Sequence, residues 1–193
     1  LGDPWTETID NRGRFKAYAA YGDVIWHLGD RLDLTTGLRY TVDQKAFDWY
    51  TPPRQAPELD HTLDQLDQAG LLDLAAALAG IGKQALRAQL SRNLIFTDAV
   101  GQQVQRRNRW RDISPRLVLS YKFTPDIMGY ASLAKGYKAG GYNGTQVNSE
   151  FAPERVWNLE AGLKSVFPAQ RLLLNLSAYY YRYDDRQTLL LVP

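Results

Sequence analysis

The sequence predicts an all-β fold: antiparallel strands of unusual length in three hairpins, with one helical insertion. Three observations carry this. Residues 32–42 alternate without a break. Leu32, Leu34, Thr36, Leu38, Tyr40 and Val42 take one face, and Asp33, Thr35, Gly37, Arg39 and Thr41 take the other. Strands of soluble domains average about 5–6 residues, whereas a membrane-crossing strand needs about 9–11. All 12 Tyr lie outside residues 51–107, a stretch rich in Leu and Ala instead. The joins between strands alternate between very short and long. These features leave two architectures open, a wall of membrane-spanning strands and a soluble sheet with one wet face.

Taken in order, Arg14–His27 reads as the first strand and residues 28–31 (Leu-Gly-Asp-Arg) as a tight turn. Leu32–Tyr50 is the second strand. Residues 51–107 form the insertion, introduced by Pro52, Pro53 and Pro57. Within about 58–90, Leu59, Leu63, Leu66, Leu74, Leu78 and Ile81 recur at helical spacing, and Gly70 and Gly80-Ile81-Gly82 break the run into short helices. Ile113–Phe123 alternates again and ends at the turn Thr124-Pro125-Asp126. Met128–Asn143 is the fourth strand, with a glycine-rich end at Gly140-Gly141. A polar loop covers 144–153. Trp157–Phe167 and Leu172–Tyr183 form the last hairpin, joined by Pro168-Ala169-Gln170. The chain thus divides into 1–50 (strands 1–2), 51–107 (loop insertion) and 108–193 (strands 3–6).

Composition narrows the function. With no Cys, thiolate catalysis, disulfides and Cys-ligated metal are excluded. A net charge of +2 gives no reason to expect nucleic acid as a partner. No apolar run is long enough for a membrane-spanning helix. The chain opens on Leu1 with no leader pattern, which fits a start inside a longer protein. No catalytic set emerges, and the chain reads as a non-enzyme without cofactor or metal. His27 ends a strand. His61 sits among Glu58, Asp60 and Asp64, whose acidity suits a helix N-terminus. Asp184 and Asp185 are adjacent and so point to opposite faces. Ser114, Ser120, Ser132 and Ser177 have no neighbouring base. No helix follows Gly140-Gly141, so the pair is not a phosphate loop. Its expected role is to thin a strand where another segment approaches.

Several runs resemble the barrel region of TonB-dependent outer-membrane receptors. They are Ile113–Asp126 (ISPRLVLSYKFTPD), Tyr130–Asn143 (YASLAKGYKAGGYN), Phe151-Ala152-Pro153-Glu154, Glu160–Ser165 (EAGLKS) and Leu174–Tyr181 (LNLSAYYY). Tyr21-Gly22-Asp23 and Thr36–Thr41 (TGLRYT) also fit. The resemblance implies an antiparallel transmembrane β-barrel segment in the Gram-negative outer membrane. It implies a receptor for a scarce ligand such as a ferric siderophore, energised through TonB. The implied partners are outer-membrane lipid, a plug domain of the same full-length chain, TonB through a missing N-terminal region, and the small ligand. Passive pore, adhesin and soluble β-sheet binding module are the alternatives.

The chain departs from the family pattern in having no plug and in ending on Leu189–Pro193 rather than on a terminal aromatic. Six strands are fewer than the eight of the smallest membrane barrels, so a fragment of a longer chain is expected, with a relic unable to transport by itself as the alternative. In the barrel frame, residues 28–31, 124–127 and 168–171 are periplasmic turns, and 51–107 and 144–153 are extracellular. Arg39, Arg116, Glu160 and Lys164 are expected to face the lumen as structural charges, because a cation facing hydrocarbon costs about 2–4 kcal/mol at the midplane. Trp49, Tyr50, Tyr142, Asn143 and Arg155, near the outer rim, are the candidate ligand contacts. Aromatics can stack on rings and Arg can pair with carboxylates.

Overall fold

The computed structural model describes residues 5–188. In chain order it contains β1 (Asp10–His27), β2 (Leu32–Tyr50), α1 (Pro57–Gln68), α2 (Leu71–Leu78), α3 (Lys83–Leu90), β3 (Gln103–Thr124) and β4 (Ile127–Lys138). The short β5 (Gly141–Tyr142) and β6 (Glu150–Phe151) follow, then β7 (Glu154–Phe167) and β8 (Leu172–Asp184). Six strands form one antiparallel sheet in the order β1-β2-β3-β4-β7-β8, and β5 pairs with β6 separately. Among the described residues the large sheet stays open, with β1 and β8 at its edges. The terminal run Leu189–Pro193 lies outside the described residues.

The chain divides into two compact units. The sheet unit holds Arg14–Lys45, Arg107–Gly141 and the chain from Glu150 onward. The loop unit holds the chain up to Gly13, Ala46–Arg106 and Tyr142–Ser149.

In the sheet unit, the strand registers make the two faces explicit, because residues directly opposite one another share a face. Leu117, Leu133, Leu159 and Tyr180 form one row across four strands, and Leu119, Ala131, Ala161 and Ala178 the next. The opposite face carries the rows Val118, Ser132, Glu160, Tyr179 and Lys122, Met128, Lys164, Asn175. One face is apolar and one polar through these rows, and beyond them, toward the Lys138 end of β4, the apolar face gives way to Lys135, Arg155, Arg182 and Asp184. Large apolar side chains such as Leu174, Leu176 and Leu159 are exposed at 42%, 59% and 54%. Water would not stabilise such a surface; hydrocarbon would.

The 22 residues of β3 span roughly 70 Å at about 3.3 Å per residue, more than twice the ~30 Å hydrocarbon core of a bilayer. Its N-terminal half, Gln103–Asp112, is polar except for Val104 and Trp110, which share a face. Alternation therefore marks the strand only from about Ile113, and the structure starts it ten residues earlier. The fourth expected strand, Met128–Asn143, is corrected to β4 plus the separate β5, with a break at Ala139 and Gly140.

In the loop unit, α1 starts with Pro57 at its first turn beside Glu58 and Asp60, which suit the helix dipole. Gly70 (φ 73°) and Gly80 (φ 69°) supply the left-handed residues that end α1 and α2. The apolar seam differs from the one expected. Leu63, Leu72 and Ala76 are buried, while Leu74 and Leu78 are exposed at 58% and 82%. The chain reversal at Gly70 re-phases α2, so that Leu72 and Ala76, four apart, face inward in place of Leu74 and Leu78. Lys83 bridges Asp67 (2.9 Å) and Asp73 (3.2 Å), and Arg87 pairs with Asp64 and Asp67, tying α3 to the acidic helices.

Candidate functional site

The loop unit gathers four of the five candidate contact residues. Alternation along β2 puts Phe47 and Trp49 on one side. Their rings lie 4.7 Å apart, and Tyr142 meets Trp49 edge-on at 5.6 Å. The Trp49 indole Nε1 donates to the Asn143 carbonyl at 2.8 Å. The Asn143 side-chain oxygen in turn accepts from the Thr145 backbone N–H and hydroxyl, both at 2.9 Å, an Asx turn that fixes the loop. Trp49 is fully buried. Its ring is spent on packing, with no face left open. Tyr50, its neighbour on the opposite side of the strand, is 37% exposed. Arg155 belongs to the sheet unit.

A residue that sequence reasoning passed over organises the same unit. The Glu7 carboxylate accepts the backbone N–H groups of Leu94 (2.7 Å), Ile95 (2.9 Å) and Phe96 (2.9 Å), and the Trp5 indole N–H (2.7 Å). Burial pushes its pKa up, but the hydrogen bonds from Leu94, Phe96, Trp5 and Ile95 outweigh it and bring it down to about 2. Trp5 also lies under the Arg54 guanidinium, 4.6 Å from ring centroid to Cζ, and Arg54 pairs with Asp60 at 2.7 Å. A lone Glu in a polar stretch carries no periodic signal, so nothing in the sequence marked it.

In the sheet unit, the registers place Arg116, Glu160 and Lys164 on the polar face. A Cβ built on Gly37 would lie 3.5 Å from the Arg116 Cβ, so Gly37 shares that face, and so does Arg39 two residues on. The Arg39 guanidinium sits 5.9 Å from the Tyr21 ring centroid, and Arg116 lies 4.0 Å from Asp23. Tyr130 lies over Gly162 and donates its hydroxyl to Glu160 at 2.5 Å, while the Lys164 ammonium stands 5.6 Å from its ring. The four charges are thus held by neighbours on one face.

Arg155 donates to Asp112 at 3.3 Å, and Lys135 to the same carboxylate at 2.7 Å. The Asp112 side chain is 2% exposed and also accepts from the Ser114 hydroxyl at 2.9 Å. Two cations and a hydroxyl satisfy a buried carboxylate that would otherwise be costly. Asp112 and Lys135 were not singled out from sequence, because 23 and 43 positions separate Asp112 from its partners.

Among the described residues no group of His, Asp and Glu could hold a metal ion, and no helix is long and apolar enough to cross a membrane. Around His61, Asp60 is engaged by Arg54 and Asp64 by Arg87.

A sheet of long antiparallel strands, apolar on one face and charged on the other, with short turns at one end and long loops at the other, is the wall of an outer-membrane β-barrel. The chain belongs to the TonB-dependent receptor family: the model for "TonB dependent receptor-like, beta-barrel" matches residues 2–193. This is an outer-membrane family of transport proteins rather than enzymes. The fold is similar to the crystal structure of the ferric yersiniabactin uptake receptor FyuA from Yersinia pestis, with a TM-score of 0.61 and 20% identity. The match covers 93% of this chain and 22% of that one, so this chain spans about a fifth of that receptor.

Proposed function

We propose that this chain supplies wall and outer loops to a receptor that imports a scarce ligand of the ferric-siderophore class, driven by energy relayed through TonB. The family match over residues 2–193 carries the reading. FyuA, which has a similar fold, is a ferric yersiniabactin uptake receptor. In this reading the Leu-rich face meets outer-membrane lipid. Arg39, Arg116, Glu160 and Lys164 line the lumen and meet the polar surface of a plug domain. TonB engages the full-length chain through its plug region. Residues 51–107 and 144–153 face the medium.

The candidate ligand contacts divide by role. Tyr50 and Arg155 are partly exposed and able to touch a ligand, while Trp49, Tyr142 and Asn143 hold the rim loop in shape. The test is uptake of radio-iron siderophores by cells carrying the full-length receptor, with and without TonB. Saturable uptake that disappears without TonB supports the reading. Uptake that rises linearly with concentration and ignores TonB replaces it with a passive pore.

A further inference from the structure

We propose that the loop end of the apolar face on β1 and β3 is a docking surface for the phosphate groups of an outer-leaflet lipid. Lys45 fixes the two faces at that end. It shares the polar face with Arg39, six residues before it on β2. Its ammonium stands 5.5 Å from the Phe15 ring centroid and 5.7 Å from that of Trp110, so both rings lie on the polar face with it. Their strand neighbours Lys16, Arg109 and Arg111 therefore take the opposite, apolar face, and Arg107 joins them by alternation. All four cations are exposed, and all belong to the sheet unit.

The charge on that face has one sign. Its positions on β1 (16 to 26), β2 (32 to 44) and β3 (107 to 123) hold no carboxylate. Asp23, Asp33, Asp43 and Asp112, on the same strands, all take the polar face. Lys16, Arg107, Arg109 and Arg111 enter no ion pair among the described residues. Three arginines at alternate positions present planar forks, which suit phosphate oxygens two at a time.

Height names the occupant. From 113 to 123 the same face of β3 carries Ile113, Pro115, Leu117, Leu119, Tyr121 and Phe123. At about 3.3 Å per residue and a tilt of about 35–45°, this stretch rises roughly 23–27 Å, which matches the ~25 Å apolar band of an outer-membrane barrel. Arg111, Arg109 and Arg107 follow directly beyond it, at the level where hydrocarbon ends and headgroups begin. An acidic protein docking from the medium needs no such alignment with the apolar band, whereas a lipid phosphate must sit just above it. The assignment to the outer leaflet rests on the orientation proposed above, with the short turns in the periplasm and the long loops in the medium.

The experiment is native mass spectrometry of the full-length receptor in detergent, titrated with bisphosphorylated lipid A, with the same lipid stripped of phosphate, and with phosphatidylglycerol. Each Lys or Arg near a membrane surface is worth about fivefold in binding, so Arg109→Gln and Arg111→Gln should weaken lipid A retention about fivefold each and about 25-fold together. Arg171→Gln, in the turn at the opposite end of the sheet, should leave it unchanged. Hydrogen exchange of β7 and β8 confirms that each variant is folded. Preference for the bisphosphorylated lipid with that graded loss supports the surface. Equal retention of the phosphate-free lipid, or retention undiminished in the double variant, overturns it. Stronger retention of phosphatidylglycerol than of lipid A overturns the outer-leaflet assignment. Uptake is not read, so failure of the import reading leaves the result standing, and protease cleavage of intact cells at the short turns marks failure of the orientation instead.

Discussion

Trp49 separates a packing role from a ligand-contact role, and the two have opposite signatures. Its indole is fully buried, donates at 2.8 Å to the Asn143 carbonyl, and meets Phe47 and Tyr142. Trp49→Phe keeps a ring in the cluster but removes the donor. Asn143 is exposed, so water can replace the lost donor and the net cost is that of one hydrogen bond, about 0.5–1.5 kcal/mol. Trp49→Ala also opens a cavity, and large-to-small replacement of this kind costs about 3–5 kcal/mol. At 1.4 kcal/mol per tenfold, the Phe variant should lower local protection by about 2- to 12-fold. The Ala variant should lower it by at least another tenfold, until local opening becomes the limit.

The assay is hydrogen exchange on the full-length receptor in lipid, read at residues 142–149, whose loop includes the Asn143 N–H to Ser149 carbonyl bond at 3.2 Å. Exchange within β7 and β8 serves as the internal control. Faster exchange confined to 142–149, graded from Phe to Ala, is the expected result. Unchanged exchange in both variants, with a loss of ligand affinity, would refute the packing assignment and make Trp49 a direct contact.

Three other outcomes follow from the geometry. A Cβ on Gly162 would lie 2.6 Å from Tyr130 Cε1 and 2.7 Å from the Leu176 carbonyl oxygen. The ring can turn but the backbone cannot, so Gly162→Ala should cost about 1–3 kcal/mol, seen as a lower urea midpoint for the receptor refolded into bilayers; an unchanged midpoint would dismiss the contact. Glu7 has its pKa lowered from 4.5 to about 2, so its clamp is fully formed above pH 4.5 and is lost as pH falls through about 2. Proteolysis within 91–100 should accelerate over that window in wild type, whereas Glu7→Gln should be cleaved readily at neutral pH with no such dependence. On intact cells, an added protease should cut within 52–107 and spare 28–31, 124–127 and 168–171, and the reverse pattern would invert the proposed orientation.

What the sequence made legible follows where solvent contrast exists. Where a strand separates hydrocarbon from water, each residue must choose a side, and alternation is written plainly: Leu172–Tyr183 and Trp157–Phe167 match β8 and β7 to within three residues at every end. The helix breaks were legible for a different reason. Left-handed backbone at Gly70 and Gly80 is cheap only for glycine. Several of the missed features lie where that contrast is weak. The first half of β3, Gln103–Asp112, carries only Val104 and Trp110 as apolar residues, six positions apart, too sparse for a period of two to be read. Asp112 with Lys135 and Arg155, and Glu7 with residues 94–96, join positions far apart in the chain through polar contacts that leave no periodic trace. The same limit bears on function. The membrane selects the apolar face residue by residue, and that selection makes the family visible in short runs such as Glu160–Ser165 and Leu174–Tyr181. The loop unit is held in water through single contacts such as the Trp49–Asn143 bond, and those become visible only once the chain is folded.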